Sequence, residues 1–127
     1  MREVIDWICD LLGSNGFNPK VGAIPVGGSL AIQQSSGSVQ GYSVRTGAIR
    51  ETYVINAKGS QQETLELLEA VHAVLTKRRE YGSTSSFQIA TIRTLNEPAY
   101  LGQTEGEEYL YGSSIEVLVY DRRKSED

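Results

Sequence analysis

The stretch IRETYVINAKGSQQETLELLEAVHAVLTKRR, residues 49–79, changes its hydrophobic period halfway along, and that change decides the fold class. At its start Ile49, Tyr53, Ile55 and Ala57 alternate with Arg50, Thr52, Val54 and Asn56, the two-residue period of a strand with one face in a core. From Gln61 onward Leu67, Leu68, Val71, Val74 and Leu75 recur at three- and four-residue steps, while Glu66, Glu69 and Lys77 take the outer face. This predicts an amphipathic helix from about Gln61 to Arg79. Ser60 with Glu63 fits a capping box, and acids early with Lys77, Arg78 and Arg79 late suit the helix dipole.

Toward the N-terminus, Val4, Ile5, Ile8, Leu11 and Leu12 lie opposite Glu3, Asp6 and Asp10, predicting a second helix that Gly13 and the Ser14-Asn15-Gly16 cluster close. Pro19, Pro25 and Gly27-Gly28 mark residues 17 to 29 as an irregular crossing. Ser29 to Ser35 alternates as a strand. Ser35 to Ala48, rich in serine and glycine, reads as a mobile arm or hairpin tip. Toward the C-terminus, Phe87 to Leu95 reads as a strand stopped by Asn96-Glu97-Pro98. Glu108 to Tyr120 reads as a last strand or a bent pair of strands, with Gly112 as a bulge or bend. The resulting expectation is an α+β domain in α-β-β-α-β-β order, with a four-stranded, mainly antiparallel sheet and the long helix packed on one face. One domain spans 1–127, with a flexible arm at about 36–48 and a polar tail at about 121–127.

Composition excludes several functions. With 127 residues, 39% apolar and 22% charged, the chain is long enough to bury one core without staples. A formal net charge of −4 argues against counterion release on a phosphate backbone as the main driving force for any partner. No apolar run approaches the roughly 20 residues of a membrane span, and Met1-Arg2-Glu3 lacks the basic region of a signal peptide. No membrane partner and an intracellular origin are expected.

Chemistry is sparse. His72 is the only histidine and Cys9 the only cysteine, too little for an imidazole–thiolate metal site. His72 borders the apolar stripe beside Leu68 and Leu75, where a packed or hydrogen-bonded ring is expected. Gly112-Ser113-Ser114 lacks the pattern of a nucleophile elbow, so its hydroxyls are expected to bond to backbone, and Gly27-Gly28 lacks the lysine of a phosphate loop. Glu105, Glu107 and Glu108 match no calcium loop. No enzyme and no cofactor is expected; the remaining enzymatic possibility is a site assembled across subunits from Glu51, His72 and Tyr53. Tyr100, Tyr109, Tyr111 and Tyr120 crowd the last quarter of the chain and leave room for an aromatic contact surface.

Two segments carry a family resemblance. The first is Ala57-Lys58-Gly59-Ser60 and the helix through Leu65, Leu68, His72 and Leu75. The second is Pro98-Ala99-Tyr100-Leu101-Gly102, the acidic turn at Glu105 and Gly106, then Tyr109-Leu110-Tyr111 and Ser113-Ser114-Ile115-Glu116-Val117. Together they resemble bacteriophage minor capsid proteins associated with the tail terminators of long-tailed phages. The resemblance implies a virion protein assembled in the cytoplasm of a bacterial host. It would be a ring, a hexamer in the expected form, that caps the tail tube protein, meets a head completion or neck protein and lets DNA pass through its lumen. A head–tail connector or a small adaptor or tail assembly chaperone is the alternative. Candidate contacts, with itself or a partner, are Ser36, Val39, Tyr42 and Val44 in the arm and Tyr100, Leu101, Tyr109 and Tyr111 near the end.

Overall fold

The computed structural model describes residues 2–22, 24, 29–34, 48–77, 81–84, 87–104 and 106–121. The elements are α1 (Arg2–Ser14), β1 (Lys20–Val21), β2 (Leu30–Gln34), β3 (Ala48–Gly59), α2 (Gln61–Thr76), β4 (Phe87–Gln103) and β5 (Tyr109–Asp121). The strands form one sheet in the order β1-β2-β3-β5-β4. β1 pairs parallel with β2 and every other pair is antiparallel.

This corrects the expected four-stranded sheet. The added strand is β1, which lies in the segment expected to be an irregular crossing. It spans two residues, too few to show alternation, and Pro19 beside it masks it further. Its pairing is fixed from outside, by Lys20 opposite Ala31, Val21 opposite Ile32, and the Gly22 amide donating to the Ile32 carbonyl at 2.9 Å. The long helix does not cover the sheet alone: α2 packs against β3, β4 and β5, and α1 packs against α2, β2 and β4.

The core follows the predicted periods. On β3 the buried side chains are Ile49, Glu51, Tyr53, Ile55 and Ala57, and on β5 they include Tyr111, Ile115, Val117 and Val119. They join Leu30 and Ile32 of β2, Phe87, Ile89 and Ile92 of β4, Val4, Ile5, Ile8 and Leu12 of α1, and Leu68, Val71 and Leu75 of α2 in one cluster. Burying an aliphatic side chain of this size contributes about 1.5–3 kcal/mol relative to leaving it in water.

Helix ends follow local chemistry with two differences. Ser60 is the N-cap of α2 in extended conformation, and its carbonyl accepts the first helical bond from the Thr64 amide at 2.9 Å, but its hydroxyl makes no capping bond. The helix runs to Thr76 with Lys77 as C-cap, the expected Arg78 and Arg79 lie outside the described residues, and the Tyr81 hydroxyl donates to the Leu75 carbonyl at 2.6 Å in the last turn. α1 ends where Phe17 donates to the Leu12 carbonyl past Gly16, whose φ of 88° is a left-handed closure.

β4 does not stop at Asn96-Glu97-Pro98; it runs on to Gln103. It is an edge strand, and register shifts fall between Ile89 and Thr91, Thr94 and Asn96, Asn96 and Ala99, and Tyr100 and Gly102. Pro98 sits inside the third shift, where no ladder bond from its nitrogen is required. Gly112, expected to be a bulge or bend, is neither in the β3–β5 ladder, which keeps register from Ala48 opposite Tyr120 to Gly59 opposite Tyr109. Its small size has another cause: a Cβ there would lie 2.7 Å from Leu101 Cδ1 and 2.8 Å from Asn56 Oδ1.

Candidate functional site

Polar groups inside the fold form two separate sets. In the first, the Tyr53 hydroxyl donates to Glu51 Oε2 at 2.5 Å, with both residues buried in the core. Burial, then the hydrogen bond and the charge of Glu51, push the phenol well above its ordinary range, so Tyr53 remains a donor.

The second set ties α2 to the sheet. His72 Nε2 lies 2.7 Å from Ser113 Oγ, and His72 Nδ1 lies 2.8 Å from Thr94 Oγ1. Ser113 donates its only hydroxyl proton to the Ile55 carbonyl at 3.0 Å, the carbonyl of its own cross-strand partner. Ser113 must therefore accept from His72, which fixes the proton on Nε2 and leaves Nδ1 to accept from the Thr94 hydroxyl. The ring is neutral in this arrangement. Burial lowers its pKa, opposed by the nearby Glu97 carboxylate.

Beside this network an open groove of about 470 Å³ runs between α2 and β4, lined by residues that include Leu65, Glu69, His72, Lys77, Thr94 and Glu97. Within one chain Glu51 and Tyr53 are not in its lining, which leaves a site assembled across subunits open. Among the described residues no group of three or more His, Cys, Asp or Glu is placed to hold a metal, and no helix is long and apolar enough to cross a membrane.

The candidate contact residues divide. Ser36, Val39, Tyr42 and Val44 lie outside the described residues. Tyr100 and Leu101 are the most exposed large apolar side chains described, at 54% and 58%. Tyr109 is half-buried and Tyr111 belongs to the core. The Tyr100 ring packs 6.0 Å from Tyr109 and 5.7 Å, edge-on, from Tyr111, so the two inner rings hold the outer one in place. Leu101, in the last register shift of β4, folds over Gly112 on the sheet face away from the helices. The same face carries Asn96, whose Nδ2 donates to Ser114 Oγ at 2.7 Å, and Arg93, whose Nε lies 2.8 Å from Glu116. Next to the tyrosines, the turn between β4 and β5 bears exposed Glu107 and Glu108, with Glu107 at φ 66°, a conformation uncommon outside glycine.

The partners of His72 were invisible in the sequence, since Thr94 and Ser113 lie 22 and 41 residues away. The sequence carries no signal for exposed Val21 and Leu95 either, because an exposed apolar residue on a short or bulged strand leaves no periodic trace.

No protein-family model matches the chain, and no curated protein does. Among solved structures the fold is similar to a chain of the virion of a native gene transfer agent particle, with a TM-score of 0.57, covering 88% of this chain and 83% of that one at 15% identity. At that identity the likeness is one of fold.

Proposed function

We propose that this chain is a structural subunit of a phage-like virion, acting as a tail terminator: a ring that ends the tail tube and joins it to the head. The observation that carries the reading is the fold shared with a chain of a virion over most of both lengths. The chemistry agrees with an assembly role. The strongest hydrogen-bond networks lie inside the fold, while exposed apolar side chains gather on the sheet edges. The exposed acids Asp6 and Asp10 of α1 and Glu63, Glu66 and Glu69 of α2 give the helix layer a surface that repels phosphate. DNA would slide past such a surface without sticking.

Particles made without this protein test the reading by negative-stain microscopy, with mass spectrometry of normal particles alongside. Abnormally long tails are expected. Normal tails detached from filled heads would instead make it a connector, and absence of the protein from purified particles would make it an assembly chaperone.

A further inference from the structure

Four of the five exposed large apolar side chains among the described residues sit on the two edge strands: Val21 on β1, and Leu95, Tyr100 and Leu101 on β4. Each edge also carries an exposed charge of opposite sign, Lys20 on β1 and Glu97 on β4, and neither is in an ion pair among the described residues. By contrast Arg93, also on β4, is held by Glu116.

The register shows that these two patches stand at the same level. Lys20 lies opposite Ala31, Ala31 opposite Asn56, Asn56 opposite Gly112, and Gly112 opposite Ala99. One row of the sheet thus starts at Lys20 and ends between Glu97 and Tyr100. The neighbouring row starts at Val21, passes Ile32, Ile55 and Ser113, and reaches the irregular stretch that contains Glu97 and Pro98. Rotation about an axis along the strands preserves level, so a second copy placed beside the first by such a rotation brings one edge to the height of the other. β4 runs antiparallel to β1, as the successive pairings require.

We infer that the two edges are the two halves of one heterologous contact, in which Lys20 and Val21 of one copy meet Glu97, Leu95 and Tyr100 of the next. The inference rests on the proposed self-assembling subunit and names its surfaces. The contact is made by side chains. β1 offers only two residues of main chain, and the register shifts of β4 interrupt its free edge at this level, which also disfavours β4 pairing with another β4. Two unlike patches with opposite charges generate a head-to-tail arrangement, which closes into a ring when the rotation permits.

The test uses the full chain with Cys9→Ala as background. Lys20→Cys and Glu97→Cys proteins are mixed under mild oxidation, and disulfides are read on non-reducing gels. The expected product is the mixed pair, since a bond forms only where Cα atoms come within about 7 Å. In sedimentation velocity, Lys20→Glu and Glu97→Lys should each weaken self-association at least about tenfold, and the double reversal should restore it. Like-with-like disulfides, association indifferent to the charge reversals, or a chain that stays monomeric at millimolar concentration would overturn the assignment. The subunit reading fails separately, on the absence of the protein from particles.

Discussion

β5 has a different neighbour on each side, and the contrast between them organises the molecule. Against β3 it holds an unbroken ladder whose inward side chains from Ile49 to Ala57 and from Tyr111 to Val119, apart from Glu51 and Ser113, are apolar and buried. Against β4 it holds a ladder shifted at four places, with exposed Leu95, Glu97, Tyr100 and Leu101 on the outer strand. A strand buried between neighbours is pinned in register, because a one-residue slip would turn its whole apolar set toward water. An edge strand escapes that constraint on one side and can take extra residues, which re-aim side chains and blunt an otherwise sticky edge. The regular half supplies stability and the irregular half supplies surface.

The contrast breaks most severely at its regular side. Ile115→Ala, at a fully buried position opposite Tyr53 and Thr94, is expected to cost about 2–5 kcal/mol by urea denaturation. A loss under about 1 kcal/mol would mean that the β3–β5 ladder is not the stable part.

His72 joins the two halves, since Thr94 belongs to β4 and Ser113 to β5. His72→Leu, which removes a buried donor and acceptor from both hydroxyls, should cost about 1–3 kcal/mol at neutral pH. Because the folded ring titrates below its ordinary value, the unfolded chain takes up the proton first as pH falls. The contribution of neutral His72 is therefore complete above about pH 6.5 and declines as pH drops from there toward the folded pKa. Unfolding free energies at pH 7.5 and 5.5 should differ in the parent chain and differ less in His72→Leu; an equal difference in both would reject the link. The groups that face this ring from the sheet are Thr94, Ser113 and, across the groove, Glu97, while Glu69 on the same helix and Lys77 at its end line the groove beside it.

Gly112 gives the smallest effect. The Cβ in Gly112→Ala meets Leu101 Cδ1 and Asn56 Oδ1, both ends of side chains that can yield, so about 1 kcal/mol is expected. Leu101→Ala should recover part of it. Equal losses with and without Leu101→Ala would show that Leu101 does not hold this position on β5.

The sequence made the inner half legible and the outer half only partly so. Alternation from Ile49 to Ala57 and from Ile115 to Val119 found β3 and β5, and helical spacing from Leu67 to Leu75 found α2. Asn96-Glu97-Pro98 has the composition of a stop yet does not end β4, because proline ends a central strand but is tolerated in the irregular stretch of an edge. Among the candidate contacts, Tyr100 and Leu101 proved exposed, whereas Tyr111, identical to Tyr100 in type and near it in sequence, is core. Pairing opposite one another across the β4–β5 ladder does not give two tyrosines the same burial, since β4 has an open edge and β5 lies between two strands.

By itself the sequence determined an α+β chain, two amphipathic helices, the faces of three strands, and an inventory of one histidine and one cysteine. Those properties are local: they follow from side-chain period and residue inventory. Only the tertiary structure decided that Lys20–Val21 is a strand, that β4 passes its proline, that Thr94 and Ser113 lock the tautomer of His72, and that Lys20 and Glu97 share a level on opposite edges. Each of those depends on pairings between segments far apart in the chain, and such pairings leave no period to read.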